Sequence, residues 1–241
     1  MSRYSFIGAF MMISALLATL PSTVFAGSLQ VSDIKEKMVS VNTIGLLPLD
    51  IQMMEIFPGD LVEPREDWAV QAKEVTKNLM SDFFSKTPYQ LTPIDIQGQE
   101  NQIEEVMPLY KRVAATLNAG VLDQFSPISL PGRDKPFDYS LGDVSFLFEN
   151  RDIDAALIVI GADAYLSTSR KVSESASAVV KLVFGVVNFT NPEGTITMAL
   201  VNRDGAILWH SSQTIGGTNF REPNIHQYIM TKVLESFPTT P

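Results

Sequence analysis

The stretch Ala155-Ala156-Leu157-Ile158-Val159-Ile160-Gly161-Ala162-Asp163-Ala164-Tyr165-Leu166 decides the fold. Its first six residues are apolar without a break. A continuous run of this length suits a central strand covered on both faces, so layers are expected on either side of its sheet. Downstream, Gly194–Asn202 and Ala206–Gln213 flank Arg203-Asp204-Gly205. The Asp-Gly pair accepts the positive φ of a tight turn, which predicts a β-hairpin.

Upstream, Thr43–Leu49 (TIGLLPL) reads as a buried strand, and Tyr89–Ile96 (YQLTPIDI) alternates as a second one. Pro93 inside the latter assigns it to an edge or a bulge. Between them Trp68, Ala72, Val75, Leu79 and Phe83 form one helical stripe, with Asp67 as its expected N-cap and Pro88 as its end. Strand, helix, strand predicts a parallel crossover unit. A second helix is expected over Asn101–Asn118, on the stripe Ile103, Val106, Met107, Tyr110, Val113, Ala114 and Leu117. Pro108 should bend it and Gly120 should stop it. Leu141–Glu149 suits a short helix. Pro223–Phe237 suits a last one, with Ile225, Tyr228, Ile229, Val233 and Phe237 on its inner face. The order is β-α-β-α-β-β-β-α: an α/β protein with a mixed sheet of about five strands and helices packed on it.

Two stretches interrupt this plan. Residues 121–140 hold Pro127, Pro131 and Pro136 and show no period, which marks a loop insertion. Residues 175–189 (SASAVVKLVFGVVNF) are apolar apart from Lys181 and small polar residues. This segment is too short to span a membrane as a helix. It reads either as a core helix or extra strand, or as a patch that meets a partner or a membrane surface. In the second case Val179, Val180, Leu182, Val183, Phe184 and Val186 form the interaction segment.

The amino terminus carries an address. Arg3 precedes an apolar run from Phe6 to Leu20, Pro21 and Ser22 break it, and Val24-Phe25-Ala26 follows. This is the tripartite pattern of a secretory signal, with cleavage expected after Ala26 and an uncleaved anchor as the alternative. The mature chain is then one α/β domain, 27–241, of about 215 residues, enough for a proper core. A bacterial periplasmic or secreted location is expected. The chain has no cysteine, so it cannot be lipidated, and thiol catalysis, zinc ribbons and iron–sulfur clusters are excluded. A net charge of −9 repels phosphate backbones, so no nucleic acid is expected as partner.

The chemistry-bearing residues are sparse. There are two histidines, His210 and His226, and no paired-His metal motif. None of Ser167, Ser169, Ser173, Ser175 or Ser177 lies in a nucleophile elbow or an S-x-x-K motif. Gly216-Gly217 lacks the setting of a phosphate loop. Asp152 with Asp154, and Glu104 with Glu105, read as solvated faces. Asp163 is the acid of most interest. It follows the apolar start of the central strand, near the end where open α/β sheets bind ligands. It is a candidate ligand contact, with a turn or capping role as the alternative. No catalytic residue, cofactor or metal is expected.

Leu200-Val201-Asn202, Gly205 and Leu208-Trp209, together with the opening strand Ile44–Asp50 (IGLLPLD), resemble a group of bacterial exported proteins. The group includes the curli-secretion-pore family, the penicillin-binding-protein activator lipoproteins, the TolB amino-terminal domain and neisserial-type lipoproteins. The resemblance covers residues 43–237 in element order. It implies an anticodon-binding-like α/β sandwich used for protein–protein contact in the envelope, without enzymatic activity. The lipobox cysteine of the group is missing here. In pore-forming members the region corresponding to 176–187 inserts in the membrane, and here it is too short for a full hairpin. The expected function is a non-enzymatic binding or accessory protein of the cell envelope. The alternative is a subunit of a homo-oligomeric envelope or secretion assembly that touches the membrane, and a periplasmic hydrolase ranks last.

Overall fold

The computed structural model describes residues 24–59, 61–122, 136–168, 193–216 and 220–239. The segment 175–189, with all six residues of the expected interaction segment, and most of the loop insertion lie outside the described residues.

The Ala155–Leu166 stretch is the central strand of a mixed sheet, and its first ten residues are all buried. In chain order the strands are β1 (Val24–Gln30), β2 (Thr43–Leu46), β3 (Asp50–Ile56), β4 (Val62–Pro64), β5 (Gln90–Pro93), β6 (Ala155–Leu166), β7 (Glu193–Asn202) and β8 (Ile207–Gly216). The helices are α1 (Ile34–Met38), α2 (Glu66–Phe84), α3 (Glu100–Leu122) and α4 (Pro223–Leu234). The α/β class holds, with eight strands rather than about five. The sheet runs β1-β8-β7-β6-β2-β5, and β3 and β4 branch from the far half of β6.

Alternation along β6 builds two cores from one strand. Ala155, Leu157 and Val159 join α1, α2 and α4 on one face, with Trp209, Met230 and Phe237. Ala156, Ile158 and Ile160 join α3 and the segment around Phe146–Phe148 on the other. The domain is therefore three layers deep, helices on both faces of the sheet, as the continuous apolar run requires.

β2 and β5 pair in parallel across the intervening chain, and Pro93 closes an outer strand where its missing N–H costs no ladder bond. β7 and β8 form the expected hairpin around Asn202–Gly205. Gly205 has φ +81°, and a Cβ there would collide with the Gly142 carbonyl, so only glycine fits this turn.

Several boundaries differ from the sequence reading. The strand expected at Thr43–Leu49 ends at Leu46, because Leu47-Pro48-Leu49 leaves the ladder, and a second strand, β3, begins at Asp50 beside β6. α2 begins at Glu66. Asp67 is therefore inside its first turn and is not the N-cap, and it pairs with Arg65 instead. The buried line of α2 is Trp68, Ala72, Thr76, Met80 and Phe84, with Leu79 and Phe83 on its flank. α3 continues through Pro108 and Gly120 to Leu122. Leu141–Glu149 holds only a single 3₁₀ turn, Ser145–Leu147. α4 buries His226, Ile229, Met230, Val233 and Leu234, whereas Tyr228 is exposed.

Candidate functional site

The carboxyl ends of β3 and β6 lie side by side, with Met53 opposite Asp163 and Glu55 opposite Tyr165. Chain returning from β4 brings Arg65 to this place, and chain entering α4 brings Arg221. Both meet Trp68. The Arg65 guanidinium stands 3.8 Å from the indole centroid and the Arg221 guanidinium 4.1 Å from it. Arg221 also lies 4.0 Å from the Tyr165 ring, which meets Trp68 edge-on at 6.1 Å. Three aromatic–guanidinium contacts thus hold four residues from three parts of the chain. Each contributes roughly 0.5–2 kcal/mol depending on how far it is desolvated.

Carboxylates fix the outer guanidinium. Arg65 pairs with Glu55, and it donates through Nε and Nη2 to both oxygens of Asp67, at 3.1 and 3.0 Å. This fork-to-fork geometry orients the planar cation as well as neutralising it. The same contact holds the Asp67 carboxyl below its ordinary range. Arg65, Tyr165 and Arg221 remain half-buried, while Trp68 is buried beneath them. Leu61, Val62 and Val70 on the adjoining 61–70 stretch are exposed large apolar residues.

Asp163 lies one layer further in. It is fully buried, and its Oδ2 accepts the Phe220 backbone N–H at 2.7 Å. The carboxylate thus anchors the chain that leads into α4, the turn-type role weighed above, and it does not reach the surface. Beside it the His226 ring stacks on Phe220 at 5.0 Å. His226 Nε2 is 2.9 Å from Thr76 Oγ1, and Nδ1 is 3.3 Å from the Phe220 carbonyl. Burial pushes its pKa down, and the Phe220 carbonyl pulls it back up.

His210 sits on the opposite face of the sheet, on β8 against α3. It is fully buried, its Nε2 lies 3.1 Å from Asn118 Oδ1, and its ring meets Tyr110 at 6.3 Å. The two histidines are on separate faces and do not converge on one centre. Among the described residues no group of three His, Asp or Glu side chains could hold a metal ion.

The sequence reading found Asp163 and missed Arg65, Trp68, Tyr165 and Arg221 as a set. Only Arg65 and Trp68 are near neighbours in the chain, one helical turn apart. The other two join them through sheet register and the loop before α4, which local spacing does not reveal.

Comparison with known proteins adds little. No family model and no curated protein matches the chain. Two solved structures that align with it are PelC dodecamers from Paraburkholderia phytofirmans. One is 9% identical, with 88% of this chain and 95% of the other aligned at a TM-score of 0.33. The second, a single-substitution variant, is 8% identical, with 88% and 96% aligned at the same TM-score. At that score the likeness transfers neither an assembly nor a role to this chain.

Proposed function

We propose that this chain is an exported, non-enzymatic binding or accessory protein of the bacterial cell envelope that works by protein–protein contact. The amino-terminal pattern from Arg3 to Ala26 supports the address. The observation that carries the mode of action is the half-buried Arg65–Trp68–Arg221–Tyr165 stack beside the exposed Leu61, Val62 and Val70. Arginine, tryptophan and tyrosine are the residues most enriched where protein interfaces concentrate their binding energy. Here they are pre-ordered by Glu55 and Asp67, which lowers the entropy lost on docking.

The test is in-cell photocrosslinking from Leu61 and Val70, with Val39, an exposed residue just after α1, as the comparison position. A discrete envelope-protein adduct from Leu61 and Val70 that is missing from Val39 is the expected result. Adducts of equal intensity from all three positions, or retention of the whole protein in the cytoplasm, would sink the reading.

A second reading, a subunit of a homo-oligomeric envelope assembly, rests on β1. Gly27–Gln30 (GSLQ), the part of β1 that the expected mature chain keeps, carries no charge and no proline, and among the described strands β1 pairs with β8 alone. Edges of that kind lack the usual protection against pairing with another chain. Light scattering on the purified mature protein separates the readings, since a monomer at working concentration excludes the assembly.

A further inference from the structure

The sheet has a notch. β2 and β5 run parallel and end together at Leu46 and Pro93. Leu46 pairs with Leu157 and Asp50 with Ile160, so Leu47, Pro48 and Leu49 span a gap that Ile158 and Val159 fill on β6. One extra residue therefore bulges from the ladder. On the outer side β5 covers β2 and β4 covers the far end of β3. Among the described strands none covers the stretch between. Helix α3 crosses this place and forms one side of an open cleft of about 370 Å³. It opens just past the carboxyl ends of two parallel strands, where open α/β sheets bind their ligands. Its size falls within the range of small-molecule pockets.

The walls are apolar. The half-buried Ile103 and Met107 of α3 form them, Leu47, almost fully buried, closes the floor on the same face, and Leu49 packs its side chain into the core on the other face of the sheet. The polar groups are Asp50, Glu104 and Lys111. Lys111 Nζ is already held by Asp50 Oδ2 at 2.5 Å, with only 17% and 28% of the two side chains exposed. Glu104 has no ion-pair partner among the described residues. Pro108 has no N–H and cannot donate to the Glu104 carbonyl one turn earlier, which leaves a further acceptor at the rim. With two carboxylates and one ammonium the cleft is net negative, and its surplus is in acceptors. The Lys111 charge is already neutralised by Asp50, so an anion meets no surplus positive charge here, whereas a cation meets the uncompensated Glu104 carboxylate.

We propose that this cleft binds a small amphipathic amine. The apolar body lies against Ile103 and Met107 over the Leu47 floor, and the ammonium is received by Glu104 and the outer face of Asp50. The site is separate from the Arg65–Trp68 surface and does not depend on the protein-contact reading.

The test uses protein labelled with ¹³C at its methionine methyls, with the Met107 signal assigned through Met107→Leu. Hexylamine, hexanoate and 1-hexanol are titrated at neutral pH. Hexylamine is expected to shift the Met107 signal saturably, with hexanoate at least about tenfold weaker. Glu104→Gln should weaken hexylamine about threefold, since one rim carboxylate is lost, and Leu109→Ser, an exposed change outside the lining, should leave it unaltered. Ile103→Trp should fill the cleft and abolish the shift. Hexanoate binding as tightly as hexylamine, a shift that never saturates, or a response that survives Ile103→Trp would each overturn the proposal. If Ile103→Trp does not fold, the contrast between amine and carboxylate and the Glu104→Gln titration decide it.

Discussion

The two faces of the sheet treat a buried histidine in opposite ways. On the α2/α4 face, both ring nitrogens of His226 have an oxygen within reach, Thr76 Oγ1 on one side and the Phe220 carbonyl on the other. Neutral or protonated, that ring finds partners. On the α3 face, His210 Nε2 lies 3.1 Å from the Asn118 side-chain oxygen, and Nδ1 has no partner among the described residues. A second proton would be buried as a donor without an acceptor. Burial alone separates neither site from the other; the difference lies in what stands opposite the second nitrogen.

The largest effect expected from this contrast is on acid stability. Burial lowers the His210 pKa from 6.5 to about 4. Between those values the unfolded chain binds a proton that the folded chain refuses. The contribution is therefore fully present above pH 6.5 and is lost as the pH falls toward 4. Its full size is about 3 kcal/mol. Urea unfolding of wild type and His210→Leu across this window should show a flatter profile for the variant. His226 is shifted in the same direction, with the Phe220 carbonyl opposing, so a His226 variant should keep most of the slope. Equal slopes in wild type and His210→Leu would erase the distinction between the faces.

Next in size is the partnered face. Thr76 is fully buried, and its hydroxyl lies 2.8 Å from the Ala72 carbonyl and 2.9 Å from His226 Nε2. Thr76→Val keeps the shape and strands the imidazole nitrogen. The expected cost is about 2 kcal/mol, read from the unfolding midpoint at neutral pH with an unchanged denaturant slope. A loss of only a few tenths would mean that the hydroxyl contact contributes little and that the two faces differ less than their geometry implies.

How far this was legible in the sequence depends on how local the signal is. β6 announced itself because a strand buried on both faces must be apolar throughout, and the hairpin did so because Asp204-Gly205 meets a backbone requirement. β3 was invisible as a separate strand because one bulged residue at Pro48 shifts its alternation out of phase with Thr43–Leu46. β1 carries no local signal, since VFAGSLQ has neither alternation nor bulk, its first three residues coincide with the end of the expected leader, and its pairing with β8 is as distant in sequence as any in the fold. β4 is three exposed residues that only β3 defines. Of the site, Asp163 could be found because it interrupts an apolar strand. Arg65, Trp68, Tyr165 and Arg221 meet only through register, and their individual contexts resemble many others. Pro48 and Pro108 were both conspicuous, yet nothing local shows that they border one cleft.

The smallest effect is also the sharpest test of the contrast. Tyr110 is fully buried on α3, and its hydroxyl has no hydrogen-bond partner among the described residues. Burial without compensation pushes its pKa well up and leaves the neutral hydroxyl desolvated. Tyr110→Phe removes that oxygen and keeps the ring, including its edge contact with His210. On the α2/α4 face the loss of a hydroxyl should cost stability, as with Thr76. Here it should cost nothing, or stabilise by up to about 1 kcal/mol, because no bond is broken and one unpaired group leaves the core. Chemical denaturation of the two variants side by side measures the difference directly. A destabilisation by Tyr110→Phe as large as that of Thr76→Val would show that the hydroxyl is bonded in solution. His210 Nδ1 would then be the first acceptor to examine, and the acid-sensitive character assigned to this face would have to be withdrawn.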